Sequence, residues 1–159
     1  MARITTNTTG TQPVIVIGLS GANLANSAAT ITVPFVQDLT ITNSTGVYSY
    51  TTFSDVDMRK LSTPADNEVS TNVVVDNVAY FGNSSATANT APFLGIASLS
   101  VNKNVLDFQV YWNGTAANAY FYSGSGFITS LAPTTSPDAP VWVTPLTIAV
   151  DGAFTVDQV

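Results

Sequence analysis

Apolar and polar residues alternate with a period of two along most of this chain. The clearest stretch is Leu106 to Trp112, where every second residue is apolar and the residues between them are more polar. This pattern is typical of a strand with one buried face. Asn113-Gly114 follows at once, and this pair accepts the positive φ angles of a tight turn. We therefore predict that Ala119 to Tyr122 returns as the partner strand after a short loop.

The same alternation predicts strands along the rest of the chain. They are Val14 to Leu19, Thr30 to Phe35, Gly46 to Phe53, Glu68 to Val75, Leu99 to Val101, Phe127 to Leu131, Val141 to Val150 and Ala153 to Val156. Pro145 cannot donate to a sheet, so the strand around it is bent, lies at an edge or contains a bulge. Convincing helical stripes are missing from the pattern. It predicts an all-β fold, a two-sheet β-sandwich or open barrel with at most one short helix.

Two segments interrupt the alternation. Ser54 to Asn67 is predicted as a long, charge-dense loop between strands, in which Ser54 caps a short helical turn that ends at Pro64. Before its final proline, Asn83 to Pro92 consists of Asn, Ser, Ala and Thr. It is either a flexible loop or a weak helix ended by Pro92. The pattern does not choose between these two.

The chain is predicted to form one domain, residues 1–159, with an N-terminal arm at residues 1–12. It contains neither a fixed-period repeat nor a change of composition that would mark a second unit. A chain of this length buries roughly two-thirds of its surface on folding, so one core is enough. Near the end, Pro133 to Pro140 is predicted as a rigid connector with a turn at Thr134 to Pro137.

Charged residues are scarce, and this scarcity points to self-assembly. They make up 9% of the chain, against roughly 25% in soluble domains. A domain with so few charges is poorly protected against association, so we expect much of its exterior to pack against its own copies. The formal net charge is −6, with only four basic residues. That balance argues against a tight nucleic-acid site.

The composition also removes most of the usual catalytic tools. The chain has no cysteine and no histidine, which excludes thiolate metal sites, disulfides and the common general base. Asp66-Asn67-Glu68 is a weak calcium candidate that lacks the twelve-residue loop pattern. Gly124-Ser125-Gly126 is interpreted as a hairpin bend because neither a helix nor a Lys follows it, as a phosphate loop requires. We expect no enzymatic activity and no cofactor.

Five tyrosines are candidates for a sugar-binding surface. They are Tyr48, Tyr50, Tyr111, Tyr120 and Tyr122. Aromatic residues also favour strands and subunit interfaces, which explains them without any ligand. A secreted carbohydrate-binding module therefore stays an alternative.

Two stretches carry a family resemblance. The first is Tyr50 to Leu61 (YTTFSDVDMRKL) followed by Asn67 to Asp76 (NEVSTNVVVD). The second is Ser123 to Pro133 (SGSGFITSLAP) followed by Pro140 to Phe154 (PVWVTPLTIAVDGAF). In order and character they resemble the tail tube proteins, or major tail proteins, of long-tailed bacteriophages. Together they cover roughly half of the chain as patterns of strands and turns.

The resemblance implies a structural virion protein. In the family, six copies close into a ring, rings stack into a tube, and the inner sheets line a channel through which DNA passes into the host without tight binding. The long loop after an early strand clasps the neighbouring ring, and here that loop would be Ser54 to Asn67. The implied contact residues are Asp55, Asp57, Arg59, Lys60 and Asp66.

The resemblance also implies partners and a location. The chain would bind copies of itself and the tape-measure and tail terminator proteins, and it would bind no membrane. The resemblance does not decide whether a sheath protein is a further partner. It would be assembled in the host cytoplasm and reside in the virion tail. A capsid decoration or cement protein is the closest alternative, because it would share the low charge, the β content and the self-association.

Overall fold

The computed structural model describes residues 12–54, 56–112, 114–115, 119–136 and 138–159, except for the side chain of residue 139. The strands in this part of the chain are β1 Val14–Leu19, β2 Thr30–Thr32, β3 Thr40–Tyr50, β4 Arg59–Val74, β5 Leu106–Tyr111, β6 Tyr120–Leu131, β7 Thr134–Ser136, β8 Ala139–Val150 and β9 Thr155–Gln158. The helices are α1 Asn77–Phe81 and α2 Ala91–Val101. Most of the predicted arm 1–12 lies outside the described residues.

The strands form a single antiparallel sheet in the order β2-β1-β5-β6-β8-β4-β3, with β7 on β8 and β9 on β6. After β2 the chain crosses to β4, where Val36 forms a bridge with Val73. Beside it, the Gln37 N–H donates to the Asn72 carbonyl at 2.8 Å. The sheet therefore curves until its two sides meet around one core. The all-β prediction is confirmed, as one curved sheet rather than two separate ones.

The inner face of the curved sheet supplies most of the core. Side chains at alternate positions of β1, β5, β8 and the second half of β4 point inward, as the period-two pattern predicts. The largest fully buried side chains include Phe108, Ile15, Ile17, Leu106, Leu146 and Ile148. Phe154, just before β9, adds an edge-to-face contact to Phe108 with ring centroids 6.3 Å apart. Leu99 and Ile96 of α2 close the core from the other side.

Two helices follow β4, where the sequence pattern predicted at most one. Asp76 caps α1, because its carboxylate accepts hydrogen bonds from the N–H groups of Val78 and Ala79 at 3.0 and 2.9 Å. Leu99–Val101, predicted as a strand, instead forms the end of α2. A short apolar run has the same appearance in a buried helix and in a strand, so the pattern could not distinguish them.

The two helices touch through their glycines. Gly82 ends α1 and Gly95 interrupts α2, and both have positive φ values, 92° and 75°. A Cβ on Gly82 would lie 2.3 Å from the Phe93 carbonyl oxygen, and one on Gly95 would lie 2.3 Å from the Gly82 nitrogen. Only glycine permits both the backbone conformation and this close approach. The kink at Gly95 also explains why α2 shows no regular helical stripe.

Strand β6 corrects three predictions at once. The predicted strands Ala119 to Tyr122 and Phe127 to Leu131 are parts of one strand, Tyr120–Leu131. Gly124-Ser125-Gly126 therefore lies inside a strand and is not a hairpin bend. A Cβ on Gly126 would lie 2.2 Å from the Ala149 carbonyl oxygen of β8, so glycine is needed for close strand contact. The predicted turn at Thr134 to Pro137 is wrong for Thr134–Ser136, which form β7 and pair with β8, and Pro137 lies outside the described residues.

The predicted loop Ser54 to Asn67 is wrong over most of its length, because β4 begins at Arg59. Both faces of residues 59–66 are mainly exposed, so no apolar alternation marked them as a strand. Pro64 is accommodated where the β3–β4 register shifts, between the pairs Thr45–Ala65 and Val47–Ser62. A bulge of this kind tolerates the missing proline N–H. Ser54 lies in a turn, and the described part of this connection contains no helical turn.

Candidate assembly surface

The β3–β4 hairpin extends well beyond the curved sheet. Strand β8 pairs with β4 only from Asn67 to Val74. Before Asn67, β4 pairs only with β3, from Ser44–Asp66 to Tyr50–Arg59, among the described residues. We call these residues, 44–50 and 59–66, the ribbon, and the connection between them, residues 51–58, the tip. A two-stranded ribbon is at best marginally stable by itself in water.

The base of the ribbon is fixed to the sheet by Asn67. This side chain is 3% exposed, and its Nδ2 donates to the Gly152 carbonyl at 2.7 Å. The Oδ1 atom of Asn67 is buried without a hydrogen-bond partner. Two residues further into the sheet, and on the same face, Val69 is in the core beside its β3 partner Ile41. The ribbon therefore leaves the sheet from a fixed point.

The bulge gives the ribbon a second fixed feature. Gly46 faces Thr63 there, and a Cβ on Gly46 would lie 2.2 Å from the Thr63 Oγ1 atom. Bulges increase the local twist of a strand pair and turn its side chains in a new direction. From this property we expect the bulge to twist the outer half of the ribbon relative to the sheet.

Large apolar side chains are exposed on the tip and the ribbon. At the tip, Phe53 and Val56 are fully exposed, and Met58 is 63% exposed. On the ribbon, Tyr48 and its partner Leu61 are more than half exposed. Tyr48 also stacks on Tyr50, with ring centroids 6.2 Å apart and the planes 20° apart. Because exposed apolar patches often mark contact sites, these residues are candidates for one.

Strand β3 also presents an open edge. It pairs with β4 on one side, and the described residues provide no strand for its other side. The strand is 11 residues long. Unpaired N–H and C=O groups along such an edge are a template for a strand from another molecule.

The predicted contact residues fall on this projection. Asp57 lies at the tip, Arg59 and Lys60 are the first residues of β4, and Asp66 pairs with Ser44 at the root of the ribbon. All four are exposed. Asp55 lies outside the described residues. The sequence analysis missed the apolar residues Phe53, Val56 and Met58, although their interleaving with charged residues in the sequence was a usable signal.

The remaining chemical candidates do not form a site. In a strand, successive side chains point to opposite faces, so buried Asn67 faces away from its neighbours Asp66 and Glu68. Across the described residues there is no group of three or more metal-binding side chains of the His, Cys, Asp or Glu type. Neither described helix has the length and apolar character needed to span a bilayer.

The five tyrosines are dispersed. Tyr111 is buried against Phe121, with ring centroids 5.1 Å apart, and its hydroxyl donates to Gln109 Oε1 at 2.9 Å. Tyr122 packs edge-on against Phe154. Burial raises the pKa of Tyr111, and likewise that of the core residue Tyr80, above the ordinary value. Tyr48 and Tyr50 stack on each other, but Tyr48 is exposed and Tyr50 only half-buried, so the five tyrosines do not form one flat sugar-binding platform.

Solved structures of tail assemblies share this fold. A chain from the tail of an empty gene transfer agent (GTA) particle, refined helically with C6 symmetry, aligns over 96% of this chain and 99% of its own length, with 15% identity and a TM-score of 0.62. A chain from the sheath–tube complex of the extracellular contractile injection system PVC aligns over 93% and 89%, with 14% identity and a TM-score of 0.54.

A third match comes from the tube-terminating cap of the anti-feeding prophage (AFP). It covers 100% of this chain and 95% of its own length, with 14% identity and a TM-score of 0.54. No protein-family model and no curated protein sequence matches the chain. At these identities the similarity concerns the fold alone. The chain therefore has an all-β, tail-tube-like fold.

Proposed function

We propose that this chain is a structural tail protein whose copies form hexameric rings, and that the rings stack into a tube with a channel for DNA. The observation that carries the proposal is the ribbon with its exposed apolar tip. A ribbon that is marginal in isolation and apolar at its end gains stability only when another molecule covers it. The low charge of the whole chain supports the same conclusion.

The fold supports self-assembly as the role of that contact. The similar chains span nearly the same length as this one and come from a gene transfer agent tail and from contractile injection systems. The tail of the empty gene transfer agent particle was refined with C6 symmetry. By analogy, six copies of this chain would form each ring.

Ring closure would use the open edge of β3. If this edge pairs with a strand of the neighbouring copy, the sheets of all copies join into one continuous wall. A closed ring of strands has no edges left, which protects an apolar β-protein against uncontrolled aggregation. The wall would then line the channel.

The charge distribution suits a channel through which DNA slides. Strands β6 and β8 and residues 67–74 of β4 contain no Lys or Arg. In the described residues the basic side chains are Arg59 and Lys60 on the ribbon and Lys103 after α2. A wall without basic residues cannot hold the DNA phosphates, because phosphate binding depends on Lys and Arg. DNA would therefore pass without tight binding.

Contacts between rings would involve Asp55, Asp57, Arg59, Lys60 and Asp66. The further partners of such a tube would be tape-measure and tail terminator proteins, and a sheath protein in a contractile tail. The protein would be assembled in the host cytoplasm and reside in the virion tail, with no enzymatic activity and no cofactor.

Negative-stain microscopy of the purified protein tests the proposal. We expect rings of six subunits and uniform tubes. Trimers or capsid-bound monomers would instead favour a decoration protein, and a dispersed monomer that binds glycans would favour a carbohydrate-binding module.

A charge-reversal variant tests the ring-to-ring role of the ribbon. Arg59→Glu with Lys60→Glu should leave rings intact but prevent stacking, because it places repulsive acids at the contact. Lys103→Glu, at the only other described basic residue, is the control and should still form tubes. Full-length tubes from the double variant would show that these two residues do not hold rings together.

A further inference from the structure

A second apolar surface lies beside α1. It is a groove of about 300 Å³ lined by Val75, Tyr80, Phe81, Pro133 and Trp142. Phe81 is 65% exposed and Trp142 is 53% exposed, so both rings present large apolar faces to the surface. Tyr80 forms the buried floor and contacts Phe81 edge-on, with ring centroids 4.9 Å apart.

The groove and the tip lie at opposite ends of the same strand. The tip precedes Arg59, the first residue of β4, and Val75 of the groove follows Val74, the last. A strand of 16 residues at about 3.3 Å per residue separates them by roughly 50 Å. The tip of one molecule therefore cannot reach its own groove. It can reach only the groove of another copy.

Both surfaces are apolar, and large side chains of each stay exposed in the described part of the molecule. The tip offers Phe53, Val56 and Met58, and the groove offers a concave surface of aromatic and aliphatic side chains. We propose that the hairpin tip of one copy docks into the α1 groove of the next copy. This inference rests on the proposed function, since it identifies the acceptor for a self-assembly contact.

The charges next to the two surfaces complement each other. Arg59 and Lys60 follow the tip directly. Asp76 follows Val75 of the groove, and Asp138 lies in the turn before β8. Strand β8 runs antiparallel to β4 and pairs Val143 with Val74, so its first residues are at the groove end of the molecule. Two basic residues of one copy would thus approach two acids of the next, and such complementarity fixes register and orientation.

The geometry dictates how copies add. A contact between two different patches of the same chain is heterologous, and repeating it generates a closed ring or an open array. Because tip and groove lie at opposite ends of a long strand, each added copy extends the assembly along the direction of β4. This is the arrangement that a stack of rings requires.

Site-directed crosslinking tests the contact. Because the chain has no native cysteine, only the introduced cysteines can react. Val56→Cys combined with Phe81→Cys, treated with a short bis-maleimide linker after assembly, should give a ladder of three or more linked copies on a denaturing gel. Val56→Cys combined with Val101→Cys is the matched control, since Val101 is an 80% exposed apolar residue outside the groove. It should give no ladder. A ladder of equal yield from both pairs, or none from the first pair, would overturn the proposal.

A mixing experiment separates this inference from the proposed function. Phe53→Ser with Val56→Ser removes the tip, and Phe81→Ser with Trp142→Ser removes the groove. Each variant alone should form rings that do not stack. A mixture of the two should stop at stacks of two rings, because only one tip-to-groove contact remains possible. Full-length tubes from either variant would refute the docking while leaving the tube function intact. If the unmodified protein forms neither rings nor tubes, the proposed function itself fails.

Discussion

The two halves of β4 belong to one strand but differ in burial and in strand pairing. From Asn67 to Val74, alternate side chains are buried and β8 pairs along the whole length. From Arg59 to Asp66, the residues are mainly exposed and β3 is the only partner among the described residues. The same backbone geometry therefore supports a core in one half and a projecting, exposed surface in the other. What differs is whether a second strand and a core are present beside it.

This difference separates stability from assembly. In the sheet, each inward side chain contributes by leaving water when the subunit folds. On the ribbon, large apolar side chains stay exposed to water in the subunit, and in the proposed tube a second copy would cover them. Changes at residues 67–74 should therefore lower the stability of the subunit, and changes at residues 59–66 should affect only the association of subunits.

Two phenylalanine truncations should show the largest contrast. Phe108 is fully buried, and Phe108→Ala should cost about 3–5 kcal/mol of unfolding free energy because it removes a ring and leaves a cavity. Phe53 is fully exposed, and Phe53→Ala should leave the unfolding free energy of the dispersed subunit nearly unchanged while weakening tube formation. Denaturant unfolding measures the first effect and microscopy the second. A comparable loss of subunit stability in both variants would remove the distinction between the two regions.

The sequence was informative where one face is buried and misleading where neither face is. Strand β5 was predicted at Leu106 to Trp112 and is observed at Leu106–Tyr111, because alternate burial leaves an apolar period of two. Residues 59–67 of β4 were predicted as loop because the ribbon has no such alternation. The segment was recognised as charge-dense, but an exposed loop and an exposed ribbon have the same polar composition, so composition could not distinguish them.

The groove was beyond sequence analysis for a different reason. Its lining comes from residues far apart in the chain, Val75 and Pro133 among them, which only the closure of the sheet brings together. The helix that forms its side, α1, spans only 5 residues. So short a helix has no recognisable period. Contacts of this kind depend on tertiary structure, which overrides local preference.

An intermediate effect is expected at the boundary between the two halves. Asn67→Ala removes the hydrogen bond to the Gly152 carbonyl and should cost about 1 kcal/mol of unfolding free energy. It should also loosen the root of the ribbon, which hydrogen exchange of the β3 and β4 amides would detect as faster exchange. Asn43, the register partner of Asn67, provides the control variant Asn43→Ala. Unchanged stability and exchange in Asn67→Ala would show that this side chain does not hold the ribbon.

The smallest expected effect is a pH dependence of subunit stability. It arises in the core and not on the ribbon, because it depends on the buried residue Tyr80. Burial raises the pKa of Tyr80, so its folded-state pKa lies above the unfolded value of about 10. The folded state therefore holds its proton more tightly. The resulting stabilisation is complete below about pH 10 and is lost as the pH rises through the folded-state pKa.

Tyr80→Phe tests this dependence, because it removes the ionising group and keeps the ring. The midpoint of thermal unfolding of the dispersed subunit, measured from pH 8 to pH 11, should fall less steeply in this variant than in the unmodified protein. Burial also raises the pKa of Tyr111. The Tyr80→Phe variant should therefore still lose some stability at alkaline pH. Tyr48→Phe on the ribbon controls for the removal of a hydroxyl at an exposed position. Equal alkaline losses in the unmodified protein and in Tyr80→Phe would show that Tyr80 does not contribute to the pH dependence of folding.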